Sequence, residues 1–197
     1  MTTRRVAWRR SDEVETDELV TMTLRDSGLS LVGTVLGAEA GVPLRIEYQV
    51  MTDGSGLTKA AHVRDLRGFE QRALTLERTA RGVWSVNGEV DRTLKGCTDV
   101  DLGCSPSTNT LPIRRLHLAV GASQTIQAAW LRFPELTVTR AAQTYTRLDE
   151  FTYRYESGTF SAELSVDDDG LVTTYAVWRR TAIAIGGSDT EPLDAQR

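Results

Sequence analysis

Only two cysteines, Cys97 and Cys104, occur in 197 residues. They are seven positions apart and outside any CxxC pair, so the chain lacks a disulfide framework or a thiolate metal knuckle. Two free thiols are the expectation, although a loop could bring the pair together. Histidine is as scarce: His62 and His117 have no HxxxH or HxH partner, which leaves no basis for a zinc site or a Ser-His-Asp triad. GxSxG, GxxxxGK[ST] and GxGxxG are all missing, and "DGSGLTK" at 53–59 carries only the glycines of a hairpin turn. No run approaches the roughly 20 apolar residues that cross a bilayer as a helix. There is no basic block either: 23 bases against 27 acids leave a net charge of -4, without the electrostatic footprint of a nucleic-acid binder. The first residues, "MTTRRVAWRRSDEVETDELV", run into acids where a secretory signal has its apolar core, so a cytoplasmic protein is expected.

What the sequence has instead is alternation. In "VPLRIEYQV", Val42, Leu44, Ile46, Tyr48 and Val50 share one face while Arg45, Glu47 and Gln49 share the other, the pattern of a half-buried strand. "FTYRY" (151–155) and "FSAELSV" (160–166) repeat it, and "LVTMTL" and "LSLVGTVLG" do so less cleanly. The connectors at 25–28, 52–56, 80–82, 86–89, 156–158 and 167–170 each offer a residue able to take positive φ. Strands spaced by such turns, without intervening amphipathic helices, predict a mainly β fold with one or two short helices: an antiparallel meander, roll or barrel. The "SVDDDG" run is read as a turn, because Ala176 stands where a calcium loop counted from Ser165 requires glutamate. One domain over 1–187 is expected, followed by a polar tail over 188–197.

One stretch breaks the pattern. "DVDLGCSPSTNTLPIRR" (99–115) packs two acids, two prolines, an asparagine and two arginines together. On a strand, Asp99 and Asp101 point to one face, roughly 7 Å apart along the chain. Such a pair can divide acid and base roles, share a cation, contact a ligand, or anchor the loop through backbone N–H and arginine bonds. Arg114 and Arg115 can return to those acids or offer forked donors to a phosphate or sugar. Being adjacent, they predict one structural ion pair and one partly exposed guanidinium. A short helix is expected from Thr108 to Leu118, capped by Thr108, Asn109 or Thr110, with Pro112 in its first turn and Gly121 ending it. Asn109 can also bond the loop backbone. Four tryptophans and five tyrosines are enough to line a cavity as well as pack a core, and in "QAAWLRFPEL" Trp130 and Phe133 beside a proline break are expected to form a rim.

"GCTDVDLGCSPSTNTLPIRRL", "AAWLRFPEL", "QTYTRL" with "FTYRY", and "VDDDGLVTTYAVWRR" together resemble, in order and over essentially the whole chain, the glycolipid-binding protein family, a bacterial domain first defined without a function. The resemblance implies a spiral β-roll, a long antiparallel sheet wrapped around an apolar groove, similar to the carriers that shield lipoprotein acyl chains. It brings no catalytic residues with it.

The resulting expectation is a non-enzymatic lipid or glycolipid binder. Acyl chains would lie in the groove, and the ligand candidates at its mouth are Asp99, Asp101, Asn109, Arg114, Arg115, Trp130 and Phe133. No catalytic residue, cofactor or metal is expected. Two alternatives stand beside it: a hydrolase acting on a sugar or lipid ester through Asp99 and Asp101, and an interaction scaffold bound at an exposed sheet edge.

Overall fold

The computed structural model describes residues 1–11, 15–68 and 71–185. Its strands are β1 (Thr2–Arg10), β2 (Thr16–Arg25), β3 (Gly28–Glu39), β4 (Val42–Thr52), β5 (Thr58–Asp65), β6 (Arg72–Arg78), β7 (Trp84–Val86), β8 (Glu89–Val90), β9 (Asp99–Leu102), β10 (Ser123–Arg132), β11 (Thr137–Arg147), β12 (Thr152–Ser157), β13 (Phe160–Val166), β14 (Val172–Tyr175) and β15 (Trp178–Ile185). Among the described residues, one α-helix, α1 (Thr110–Leu116), and two turns of 3-10 helix interrupt them. The polar tail expected over 188–197 lies outside the described residues. No described helix is long and apolar enough to cross a membrane.

All fifteen strands form one sheet, in the order β8 to β1, then β15 to β9. Two meanders are thus fused at their far ends by the pairing of the first strand with the last, with Val6 opposite Ile183. Each of the six turns read from the sequence falls between paired strands, while the hairpins β3–β4, β5–β6, β10–β11, β11–β12 and β14–β15 turn at places that reading did not mark. The N-terminal segment, legible only as an unsuitable export signal, is itself a strand. Every pairing is antiparallel except β9 with β10, which departs from the expected all-antiparallel sheet. Residues 103–122 connect those two strands, and a parallel pair needs a crossover of that order.

The sheet curls until β9, at one edge, lies against β5, the fourth strand in from the other. Thr58 N–H donates to the Thr98 carbonyl at 3.0 Å, and Val100 N–H donates to Thr58 Oγ1 at 3.0 Å. Strands β6 to β8 continue past this contact, so the sheet overlaps itself as a spiral. The Trp84 indole seals the overlap by donating to the Cys97 carbonyl at 3.0 Å. Both cysteines are buried free thiols.

The space inside is filled rather than open. Residues 104–113 are buried without a break, so the crossover threads the roll. Positions two apart on a helix diverge by about 200°, and α1 uses this to serve two cores. Leu111 joins the larger cluster, with Val6, Trp8, Met22, Ile46 and Leu102. Ile113 joins a second, with Tyr145, Tyr153, Leu164 and Val172. Trp8, Trp84 and Trp178 are core residues.

A charged clamp closes the other end. Asp65 is 3% exposed and accepts from Arg67 Nη2 at 2.7 Å and Arg72 Nη2 at 2.5 Å. The same two nitrogens donate to the Pro134 carbonyl at 2.7 and 2.8 Å, tying β5 to the β10–β11 turn. Burial works to raise the Asp65 pKa, but the arginine bonds outweigh it and hold it at about 2. A carboxyl depressed in the folded state stabilises above its unfolded pKa and loses that contribution as pH falls towards 2. Asp65→Asn is expected to cost about 2 kcal/mol at neutral pH. It should also flatten the loss of stability between about pH 4 and 2, both read from urea unfolding; an unchanged acid limb would show that the clamp contributes nothing.

Candidate functional site

The crossover is where the sequence candidates gather, and the structure gives most of them structural work. Asp99 and Asp101 share a face of β9, as alternation requires. Asp99 is 1% exposed; its Oδ2 is ion-paired with Arg115 Nη2 and accepts from Thr98 Oγ1 at 2.7 Å. Asp101 accepts from Gln143 Nε2 at 2.6 Å and Thr108 Oγ1 at 3.2 Å. The Asp101 pKa is raised by burial, an effect that these two bonds oppose. Arg114 Nη1 donates to the Asp169 carbonyl. One arginine is thus the structural ion pair, while the other is held by a backbone oxygen.

Of the three expected caps, Asn109 holds the N-cap position, but neither its side chain nor that of Thr108 makes a cap bond. A turn of 3-10 helix over Ser107–Asn109 runs straight into α1, and no side-chain cap bond is made. The two side chains are engaged elsewhere. Thr108 Oγ1 also accepts from Leu102 N–H at 3.2 Å. Asn109 donates to the Pro106 carbonyl at 3.1 Å and accepts from the Tyr145 hydroxyl at 2.9 Å. The helix ends not at Gly121 but at His117, whose φ and ψ of 45° are left-handed.

A second knot, absent from the sequence reading, joins the crossover to the opposite wall. Glu18 on β2 is 1% exposed. Its Oε1 accepts from the Tyr48 hydroxyl at 2.5 Å, Ser105 Oγ at 2.5 Å and Ser107 Oγ at 3.2 Å, while Oε2 is buried without a partner. Glu18 drew no notice in the sequence, although it stands two and four residues before Val20 and Met22 and so shares their buried face.

Two of the clefts that adjoin the crossover share no lining residue. The larger, of about 670 Å³, is bounded by Asp101, Asn109 and Trp130 together with Tyr155, Phe160 and Tyr175. Tyr175 meets the other two rings edge-on, and Tyr155 and Phe160 are tilted by 60° to each other, with centroids 6.0 to 6.3 Å apart. Burial raises the Tyr155 and Tyr175 pKa values, with the Asp101 carboxylate adding to the effect, so both phenols stay neutral. Gly103 makes room for the indole: a Cβ there would come within 2.9 Å of Trp130 Nε1. The smaller cleft, of about 210 Å³, holds Arg114 and Arg115. Of the seven candidates, then, Asp101, Asn109 and Trp130 meet in one cleft, Arg114 and Arg115 face another, and Asp99 is locked in its ion pair. Phe133, expected at the rim, is instead 8% exposed in the main core. The sequence did not single out Tyr155, Phe160 and Tyr175 as a site; the clue was Phe160, a large apolar residue beside a turn, 48% exposed. No group of potential metal ligands occurs among the described residues.

The sequence model of a family described as "Putative glycolipid-binding" matches residues 5–180. A crystal structure of a DUF1089 family protein from Pseudomonas aeruginosa is 34% identical, with a TM-score of 0.74 over 87% of this chain and 94% of that one. A β-barrel-like protein of the domain of unknown function DUF1849 from Brucella abortus shares the fold, with a TM-score of 0.55 at 7% identity over 94% of this chain and 98% of that one. No curated protein matches the chain.

The Glu18 knot has a consequence for pH. Burial raises the Glu18 carboxyl from the ordinary 4.5 to about 7, against the pull of the Ser105, Tyr48 and Ser107 bonds. Between those two values the folded protein keeps a proton that the unfolded chain has released. The contribution is therefore whole below pH 4.5 and is lost as pH rises through 7. Glu18→Gln keeps an acceptor for the three hydroxyls and removes the titration. Relative to that variant, the unmodified protein is expected to lose about 3 kcal/mol between pH 4.5 and 8 in denaturant titrations; parallel stability curves would refute the assignment.

Proposed function

The chain belongs to the family described as "Putative glycolipid-binding", and from that premise we propose that it is a non-enzymatic binding protein for an amphipathic lipid or glycolipid, held in the cleft beside the crossover. The observation that carries the reading is the polarity of that cleft. Its volume of about 670 Å³ falls within the roughly 300–1,000 Å³ of small-molecule sites. Its lining combines the rings of Tyr155, Phe160 and Tyr175 with the polar Asp101, Asn109, Ser105 and Arg140. Rings of this kind suit methylene groups and the apolar face of a sugar. A carboxylate that already accepts two bonds still has lone pairs for hydroxyl donors.

The acyl-chain groove expected inside the roll is replaced by this cleft, because the crossover and its two cores occupy the interior. A shorter stretch of chain is then covered. Each buried methylene contributes about 0.8 kcal/mol before association costs, so a half-covered chain together with a recognised head group suits reversible, micromolar binding. The tying of Asp99 and Asp101 also favours holding over hydrolysis. Asp99 is neutralised by Arg115, and Asp101 is stationed by Gln143 and Thr108. A pair so engaged is not poised to divide acid and base roles.

Native mass spectrometry of the purified protein, with uptake of a pyrene-labelled glycolipid, tests this. The unmodified protein is expected to take up the probe, Phe160→Asp and Trp130→Ala to weaken uptake about tenfold or more, and Arg25→Ala to leave it unchanged. No co-purifying lipid together with no probe uptake would sink the proposal.

A further inference from the structure

The smaller cleft is richer in arginine than the larger, where Arg140 lies in the lining with Asp101. Its lining includes Arg25, Arg114 and Arg115 beside the loop Gly54–Gly56, over a floor of Leu24, Leu29 and Leu111. Asp53 is the one carboxylate in that lining, and its Oδ1 is turned inward to accept the N–H groups of Ser55 and Leu57 at 2.9 and 3.1 Å. Asp99 already matches the charge of Arg115, so Arg25 and Arg114 against Asp53 leave one surplus positive charge in the lining.

Two of those guanidiniums are held in place by the fold. Asp99 grips Arg115 through Nε and Nη2, and the Asp169 carbonyl grips Arg114 through Nη1. Among the described residues, Arg115 Nη1 and Arg114 Nε and Nη2 donate to nothing, and the exposed Arg25 side chain engages no acceptor. Gly56, at φ 80°, lets the Arg115 stem lie along the loop; a Cβ there would stand 3.2 Å from the Arg115 Cβ. Stems fixed in this way lose little freedom when their unused donors are engaged, and forked donors match a tetrahedral oxyanion.

We propose that this cleft is a binding site for a phosphate-type oxyanion, gripped by Arg25, Arg114 and Arg115 and distinct from the aromatic cleft. The apolar floor admits an anion carried on an aliphatic body. A free phosphate and a phosphate-bearing lipid headgroup are therefore the same chemistry at this point.

The test is titration of the full chain with inorganic phosphate at low ionic strength, followed by amide shifts of Gly54–Gly56. Alongside it runs sedimentation with phosphatidylglycerol or phosphatidylcholine vesicles. Arg115 is left intact, since its removal would strand the buried Asp99. The comparison is with the double variant Arg25→Ala, Arg114→Ala, checked for an unchanged circular dichroism spectrum; should that pair unfold, Arg25→Glu alone serves. Phosphate binding weakened about tenfold or more by the variant supports a free-anion site. Binding only to phosphatidylglycerol vesicles, with the same dependence on the arginines, supports a headgroup site. Absence of both, or binding indifferent to the variant, overturns the proposal. Trp130→Ala is expected to leave phosphate binding intact, which separates failure here from failure of the glycolipid reading.

Discussion

The carboxyl of Glu18 is the point on which the arrangement hangs. Three hydroxyls from two parts of the chain converge on its Oε1: Tyr48 from β4, and Ser105 and Ser107 from the crossover. A spiral sheet of this size could have enclosed a void or an apolar channel. Here it encloses a polar segment, and a buried hydroxyl without a partner costs about 1–3 kcal/mol. Glu18 supplies acceptors from one wall, and Gln143 and Tyr145 on β11 supply partners from the other. With its buried side-chain polar atoms other than Thr110 Oγ1 met, the crossover can fill the roll, and α1 can present one apolar face to each core.

The position of the clefts follows from that filling. A ligand cannot lie along the axis of the roll, so the remaining recesses open on either side of the crossover. Each inherits the side chains that the crossover and the nearest strands turn towards it. One receives aromatic rings and an acid, the other arginines. Asp101 and Arg115 come from one irregular stretch of sequence and face different recesses. The strand pairing of β9 places the first, and the helix places the second.

Much of the fold was legible because its signals are local. The β4 pattern from Leu44 to Val50 buries as the alternation predicts, and turns such as 167–170 bend where Asp167 accepts its own loop's N–H groups. The pairing of β1 with β15 and the parallel step from β9 to β10 were not legible, since periodicity carries no information about distant partners. The candidate site was half legible. Acids, amide and arginines were located in the right stretch, but their division between two clefts depends on the turn of α1. Ser105, Ser107, Thr108 and Asn109 resemble any exposed loop in composition, and only the acceptors brought in by β2 and β9 and the hydroxyl donor brought in by β11 make their burial tolerable.

The seam between β1 and β15 bears on how the molecule comes to be built. Val6 and Ile183 stand almost the whole chain apart, and the entropy of bringing such distant segments together must be met before their contacts return anything. Each meander can form from neighbours as it leaves the ribosome, but the first strand keeps one flank unpaired until the last strand has been synthesised. Through most of translation that strand is an open edge, able to pair with another nascent chain. The arginines at positions 4, 5, 9 and 10 load that edge with like charge, which discourages two waiting chains from joining at it.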